Sequence, residues 1–178
     1  ATATPKGNLS EGRYYLAGTG NDSYGYFIGG VWGGGTKRSV IDRIDYSNDT
    51  ATAAVKGSIS SIRNDLGTTG NADFGYFGSG SPSSPAYVTT VDRLDYANDS
   101  TNCATKGQIS YARSAVRSTG SMSYGYVGGG STPGPNTHST VNRIDYSNDT
   151  GTASPKGPLN VNRAQHSTTG NANYGYSG

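Results

Sequence analysis

A repeat of 50 residues constrains this 178-residue chain more than any other feature. The stretch RIDYSNDT at 43–50 returns as RLDYANDS at 93–100 and again as RIDYSNDT at 143–150. Without any insertion, the chain divides into units 1–50, 51–100 and 101–150 and a partial unit 151–178. Regular self-similarity indicates a repeat architecture, in which each unit is one supersecondary structure that packs on its neighbours.

Each unit carries four short segments that are typical of β-strands, bounded by Gly, Asn, Asp or Ser. In the first unit, the first to fourth segments are SEGRYYLAG (10–18), SYGYFIGG (23–30), SVIDRIDYS (39–47) and TATPKGNLS (2–10). In the third segment Ile44 and Tyr46 alternate with Arg43 and Asp45, which is the period of a half-buried strand. The SNDT that follows has turn chemistry.

Composition agrees with a chain of strands and turns. There are 28 glycines and 14 tyrosines, and only 31% of residues are hydrophobic. Long helices are therefore not expected. Four antiparallel strands in each unit of this length predict an all-β fold made of β-propeller blades.

The motifs of one unit resemble the kelch repeat. The resemblance rests on Arg13, YGYFIGG at 24–30, IDRIDYSNDT at 41–50 and a KG pair after the fourth strand. The chain departs from the kelch pattern in two places: the fourth strand has no tryptophan, and GSG at 78–80 replaces a glycine pair. The resemblance implies kelch-like blades over about three and a half repeats.

The repeated sequence motifs YGYF, DRIDYSNDT and TATA are also similar to those in repeat arrays of tail-fibre and other structural proteins in marine phages and related viruses. This similarity implies a non-enzymatic structural or host-recognition component, located on a virion or a comparable extracellular appendage. Its partners would be other chains of the same assembly or a cell-surface glycan. A free-standing lectin-like propeller that binds carbohydrate is the alternative.

Repeated residues are predicted to build the frame. One tyrosine of each YGY pair should pack between units, and glycines at the phase of Gly25 and Gly30 should allow close approach. Arginines at the phases of Arg13 and Arg43 are predicted to form ion pairs with Asp45, Asp95 and Asp145. For the oxygen cluster Asp45, Asn48 and Asp49, turn capping is favoured over calcium.

The segments that differ between units are the natural place for specificity. They connect the second and third strands, at 31–39, 81–89 and 131–139. By strand alternation they share a face with the connections from the fourth strand to the next first strand, which we expect to carry Lys6, Lys56, Lys106 and Lys156. The candidate binding residues on this face are Trp32, Lys37, Arg38, Tyr87 and His138. The alternative is that these loops vary because nothing constrains them.

Other classes of function are disfavoured by the sequence. A net charge of +2 with 15% charged residues leaves no basic footprint for nucleic acid, and no apolar run reaches the length of a membrane helix. Acids that obey the repeat argue against a catalytic pair, which has to break symmetry. His138 and His166 are isolated, and Cys103 is the only cysteine, so no metal site or cofactor is predicted.

The limits of the chain also carry an expectation. It begins on a fourth segment and ends after a second one. We therefore expect the chain to belong to a larger ring of such units.

Overall fold

The computed structural model describes residues 2–83, 87–171 and 173–178, and its regular structure consists of short β-strands. In chain order these are β1 (Arg13–Tyr14), β2 (Ala17–Gly20), β3 (Tyr24–Ile28), β4 (Val31–Trp32), β5 (Thr36–Lys37), β6 (Val40–Asp45), β7 (Ala54–Ser58), β8 (Gly67–Gly70), β9 (Phe74–Gly78), β10 (Thr90–Asp95), β11 (Ala104–Gln108), β12 (Arg117–Gly120), β13 (Tyr124–Gly128), β14 (Val141–Asp145), β15 (Ser154–Pro155), β16 (Thr168–Gly170) and β17 (Gly175–Ser177).

The strands form antiparallel sheets in which neighbours in the chain are neighbours in space. Sheet 1 has the order β2-β3-β6-β7, sheet 2 the order β8-β9-β10-β11, and sheet 3 the order β12-β13-β14-β15. Sheet 4 has two strands, β16 and β17, and a three-stranded ribbon has the order β1-β4-β5. The helical segments of the described residues are 3₁₀ turns of three residues, such as Tyr46–Asn48. The predicted all-β class and four-stranded sheets are confirmed, and the described residues form no closed ring of sheets.

The second and third predicted segments coincide with strands in each complete unit. The fourth is a strand at β7 and β11, is reduced to two residues at β15, and is not a strand over residues 2–10. The first predicted segment begins seven residues too early, because it starts at Ser10, Ser60 and Ser110, whereas the long strands begin at Ala17, Gly67 and Arg117. The cause is a backbone kink: Tyr15, Asp65, Ala115 and Gln165 have φ between 53° and 56°, a left-handed conformation that ends an extended segment.

An arginine before each kink reaches into the interior of its own sheet. The Arg63 side chain donates to Asp92 Oδ2 at 2.7 Å and to the Phe77 carbonyl at 3.2 Å, and both charged side chains are fully buried. Arg13 pairs with Asp42 in the same way. In sheet 3 the acid is replaced by Asn142, which accepts from Arg113 at 2.8 Å.

The acids predicted to pair with these arginines have another role. Asp45 accepts from the Ser47 backbone N–H at 2.9 Å and from its hydroxyl at 2.6 Å, and Asp95 accepts from the Ala97 N–H at 3.0 Å. These bonds hold the 3₁₀ turn that follows the third strand. The predicted ion pairs to Asp45, Asp95 and Asp145 are therefore wrong, whereas turn capping by Asp45 is confirmed.

Consecutive sheets meet at what we call a joint, in which a turn of one sheet enters a socket on the preceding sheet. In the first joint the Tyr96 ring stacks on Tyr26 with centroids 4.9 Å apart. Asp99 accepts from the Tyr26 hydroxyl at 3.0 Å and from Arg43 at 2.7 Å, and its other oxygen lies 3.2 Å from Lys56 Nζ. Three donors of one sheet therefore converge on one carboxylate of the next.

The second joint repeats the first one 50 residues later. Tyr146 stacks on Tyr76 at 4.6 Å, and Asp149 accepts from Tyr76 at 3.1 Å and from Arg93 at 2.8 Å. Lys106 lies 3.6 Å from the same carboxylate. Lys56 and Lys106 thus lie in fourth strands and bind the joint, so the prediction that these lysines line the loop face is wrong.

Apolar side chains fill the space between the sheets, and the predicted packing role of the inner tyrosines is confirmed at Tyr26 and Tyr76, which are fully buried. One core cluster contains Ile41, Leu66 and Leu94, and the other contains Val91, Val127 and Ile144. The glycine prediction holds as well: a Cβ at Gly75 would lie 2.9 Å from the Tyr96 hydroxyl oxygen.

We predict that Asp92→Ala lowers the free energy of unfolding by about 3 to 5 kcal/mol, because it leaves the buried Arg63 guanidinium without its carboxylate. Asp92→Asn should cost much less, since Asn142 accepts from Arg113 at the same position of sheet 3. Urea denaturation of the two variants checks this. Equal losses for alanine and asparagine would contradict an acceptor role.

The joints predict that the same substitution at two aspartates changes the free energy of unfolding by different amounts. Asp99→Ala removes the acceptor of Tyr26, Arg43 and Lys56 and should cost about 1 to 3 kcal/mol. Asp49→Ala removes only an exposed ion pair to Lys6, 3.3 Å long, and should change stability by less than about 0.5 kcal/mol. The same denaturation experiment separates them, and a similar midpoint for both variants would argue against the joint.

Candidate binding surface

The variable loop of the first unit is built into a small ribbon. β4 and β5 form a hairpin around Gly33–Gly35, where Gly34 has a φ of 78°. β1 pairs with β4, with Arg13 opposite Trp32 and Tyr14 opposite Val31. The connection before the first long strand therefore lies beside the loop between the second and third strands, as the alternation of strands predicted.

This ribbon and its flank expose aromatic side chains beside a guanidinium. We define the aromatic patch as Tyr14, Tyr15, Trp32 and Arg38. Tyr14, Tyr15 and Trp32 are 51%, 54% and 44% exposed, and the two tyrosine rings meet edge to face at 5.0 Å. The Arg38 guanidinium lies 4.9 Å from the Trp32 ring centroid, and its Nε donates to Glu11 Oε1 at 2.9 Å. The salt bridge and the cation–π contact together fix Arg38 against the indole.

The patch is specific to the first unit. The residues at the phase of Tyr14, Tyr15 and Trp32 are Asn64, Asp65 and Pro82 in the second unit, and Ser114, Ala115 and Thr132 in the third. The left-handed backbone at Tyr15 recurs at Asp65 and Ala115, so the conformation belongs to the frame. At these three positions the first unit differs from the others in its aromatic side chains.

Trp32 and Arg38 are the two predicted site residues that the structure brings together. The Lys37 ammonium instead reaches the next loop, where it donates to the Ser81 carbonyl and hydroxyl and to the Pro82 carbonyl, each at 2.9 Å. Burial lowers the pKa of Lys37 from its ordinary value. Lys37 therefore ties two loops together.

The His138 side chain contacts residues of its own unit. His138 Nε2 is 3.0 Å from the Thr132 hydroxyl, and its ring meets Tyr111 at 5.2 Å. Tyr87 is half-buried near the end of the loop 81–89, of which residues 84–86 lie outside the described residues. Of the five predicted residues, the structure shows contact between Trp32 and Arg38.

Sequence reasoning missed Tyr14 and Tyr15 by assigning them to the first strand. A strand would turn one of two adjacent side chains inward, but the kink at Tyr15 leaves both exposed. A signal was present in the alignment of the units. The pair YY corresponds to ND, SA and AQ in the other units, so it varies as much as the loops do.

The opposite ends of the first strands line a different cavity. Turns of all four units, between the first and second strands, surround a space of about 560 Å³. Its asparagines are already engaged: Asn21 Oδ1 accepts from the backbone N–H groups of Ser23 and Tyr24, each at 3.0 Å. Asn71 holds its own turn in the same way. The amide oxygens of these two asparagines are therefore occupied by their own turns.

Reactive side chains are shielded by the frame. Burial raises the pKa of the Cys103 thiol to about 12, and burial together with Asp149 raises that of Tyr76 to about 12. Within the described part of the chain, no three metal-binding side chains cluster together. No helix of that part has the length and apolarity needed to cross a membrane.

Comparison with known proteins does not assign the chain to a family. No protein-family model matches it, and no curated protein sequence matches it either. The kelch-like and viral resemblances therefore rest on the repeated motifs alone.

His166 is a buried histidine in the groove between sheet 3 and sheet 4. It occupies the phase of Leu66 and Val116, and neither ring nitrogen has a hydrogen-bond partner among the residues that the structure describes. Burial lowers the pKa of His166, and the nearby Arg117 and Arg163 guanidinium groups lower it further. The unfolded chain therefore binds a proton more readily than the folded one.

We predict that this histidine makes the fold less stable in weak acid. The free energy of unfolding should fall as pH drops below about 6.5, the ordinary pKa of histidine, and level off below the lowered folded pKa. His166→Leu, which restores the residue type of position 66, should remove this part of the pH dependence. Denaturant midpoints at several pH values test this, with His138→Gln as the matched control. An unchanged pH profile for His166→Leu would exclude His166 as the cause.

Proposed function

We propose that this chain is a non-enzymatic recognition scaffold, in which a repeated frame of propeller-like blades presents the aromatic patch to a cell-surface glycan. The observation that carries the proposal is that the first unit exposes Tyr14, Tyr15 and Trp32, with the Arg38 guanidinium against the Trp32 ring. Aromatic residues and arginine are the types enriched where proteins recognise partners.

The rigidity of the patch supports a binding role. Trp32 and Tyr14 lie on paired strands, and Arg38 is held by Glu11. A surface that is ordered before binding loses little conformational entropy when the ligand arrives. Flat rings with neighbouring hydrogen-bonding groups suit the mixed apolar and hydroxylated faces of a sugar.

A radial arrangement of blades is supported by contacts between the first strands. The Thr68 hydroxyl donates to the Gly18 carbonyl at 2.6 Å, and the Thr168 hydroxyl to the Ser118 carbonyl at 2.8 Å. The turns that follow the first strands meet around one cavity. Inner strands that lie side by side around an axis are the arrangement of a β-propeller.

The distribution of polar groups favours a scaffold over an enzyme. The repeated acids serve as acceptors for arginine, tyrosine and lysine, as Asp92 and Asp99 illustrate. The buried hydroxyl of Tyr26 is likewise bonded within a joint. Side chains engaged in this way hold the frame and leave recognition to the patch.

The similarity of the repeated sequence motifs to viral tail-fibre arrays supports a location of the chain on a virion or a comparable extracellular appendage. Other chains of the assembly would be further partners. A lectin-like carbohydrate-binding module is the second candidate, and the same patch favours it. The virion component and the lectin-like module differ in where the chain is located, and both would bind a glycan.

A glycan array followed by calorimetry on the best ligand tests the proposal. Trp32→Ala and Tyr14→Ala should each raise the dissociation constant roughly 30-fold, which corresponds to about 2 kcal/mol for an aromatic anchor. Folding, followed by circular dichroism, should be unchanged because both side chains are exposed.

Tyr174→Ala is the matched control, because Tyr174 is also an exposed tyrosine, 65% exposed, and lies in the fourth unit. It should bind as the parent chain does. Glycan binding that survives the combined Trp32→Ala and Tyr14→Ala substitutions would refute the patch as the binding site. Binding of a protein surface in place of any glycan would change the ligand class.

A further inference from the structure

The two joints described above define a socket and an insert of fixed composition. The socket consists of a second-strand tyrosine, a third-strand arginine and the lysine and glycine of the KG pair. The insert is the turn of the next sheet, which supplies a stacking tyrosine and, three residues later, an aspartate. Both filled joints follow this rule, with Tyr96 and Asp99 in the first and Tyr146 and Asp149 in the second.

Sheet 3 carries a third socket of the same composition, made of Tyr126, Arg143, Lys156 and Gly157. Its side chains are prepared as in the filled sockets: Arg143 lies 4.3 Å from the Tyr124 ring centroid, and Arg93 lies 4.3 Å from the Phe74 ring centroid.

The third socket holds no insert. Tyr126 is half-buried, whereas Tyr26 and Tyr76 are fully buried. Within residues 2–83, 87–171 and 173–178, the side chains of Tyr126, Arg143 and Lys156 have no hydrogen-bond or ion-pair partner. Lys156 is exposed, and Lys56 and Lys106 are half-buried.

The space around the KG glycines shows the same difference between the filled sockets and the third socket. At Gly57 an added Cβ would overlap the Thr101 carbonyl, and at Gly107 it would overlap the Gly151 carbonyl, because the chain that leaves the insert passes directly over them. Above Gly157 there is open space. Gly157 thus lies at a position where a glycine is needed only when an insert packs against it.

An open strand edge lies next to the empty socket. β17 pairs with β16 and, among the described residues, with no third strand, whereas β9 pairs with β10 through Tyr76 opposite Arg93. A groove of about 290 Å³ runs between sheet 3 and sheet 4, lined by Tyr126, Val141, Leu159 and Tyr176 among others. At the equivalent place between sheets 2 and 3, Ile144 of a third strand fills the core.

We propose that this edge and socket bind a polypeptide strand with the chain's own third-strand pattern, in which Arg, Ile or Leu, Asp and Tyr are followed by a turn ending in Asn-Asp. The strand adds to β17, its Ile or Leu enters the groove, its Tyr stacks on Tyr126, and its last Asp accepts from Tyr126, Arg143 and Lys156. Addition of a strand to an open sheet edge is an established mode of peptide recognition.

Charge and space select this occupant. The socket offers two cations and a hydroxyl donor, so its ligand has to bring a carboxylate, which the Asp-bearing turn does. A whole sheet 1 from a second copy would bring β2 and β3 into the space that β16 and β17 already occupy. A single strand with its turn fits beside β17 without displacing either.

The test uses the full chain and a fluorescent peptide of residues 139–150, STVNRIDYSNDT, followed by fluorescence anisotropy. Saturable binding is expected, with amide protons of Gly175–Ser177 protected from hydrogen exchange in the complex. The same peptide carrying Asp149→Asn, or Tyr146→Ala, should bind about tenfold more weakly or worse, because one change removes the charged acceptor and the other removes the stack.

Two chain variants locate the site. Tyr126→Phe should weaken peptide binding about tenfold, whereas Tyr76→Phe, the same change in a filled joint, should leave it unchanged. If Tyr76→Phe weakened peptide binding and Tyr126→Phe did not, the peptide would be replacing β14 in sheet 3. That result would overturn the proposal. Absence of saturable binding, or dimerisation of the chain that Tyr126→Phe abolishes in the ultracentrifuge, would also overturn it, the latter in favour of a second copy.

Discussion

One carboxylate for each joint holds this repeat together. Asp99 and Asp149 each accept from a tyrosine, an arginine and a lysine of the preceding sheet, and both are more than nine-tenths buried. A buried acid is stable only when its charge is compensated, so the position of this side chain determines how closely two sheets approach. The stacked tyrosine three residues earlier then excludes water from the same contact.

The two levels of ion pairing have different consequences for the molecule. Arg63 and Asp92 lie in one unit and fix the connection before the first strand against the sheet. Asp99 and Arg43 lie in neighbouring units and couple them. In a linear repeat, stability is the sum of such internal and nearest-neighbour contributions. Each sheet is therefore stabilised both by its own ion pairs and by those it shares with its neighbours.

The sequence predicted the second and third strands and the turn after them, because alternation and turn chemistry act within a few residues. It did not predict which acid each arginine would meet. Asp45 and Asp49 recur in every complete unit and Asp42 recurs at Asp92, and spacing alone does not tell a buried acid from a turn cap. The strand register decides this, through pairs such as Tyr26 opposite Arg43. The left-handed backbone at Tyr15 was also hidden, because that residue is not a glycine.

Residues that obey the repeat form the frame, and residues that depart from it form the proposed recognition surface. Where a joint is filled, a side chain at a repeated position meets the same neighbours in each unit, so packing fixes its identity, as for Tyr26 and Tyr76. A side chain that departs from the repeat is not fixed by this packing. Where such a side chain is exposed, its outer face contacts solvent or a partner. Trp32 is exposed and yet held by Arg38, so its order comes from the frame while its outer face is free. Order without burial is what a binding surface requires, because the cost of arranging the side chain is met during folding rather than on binding.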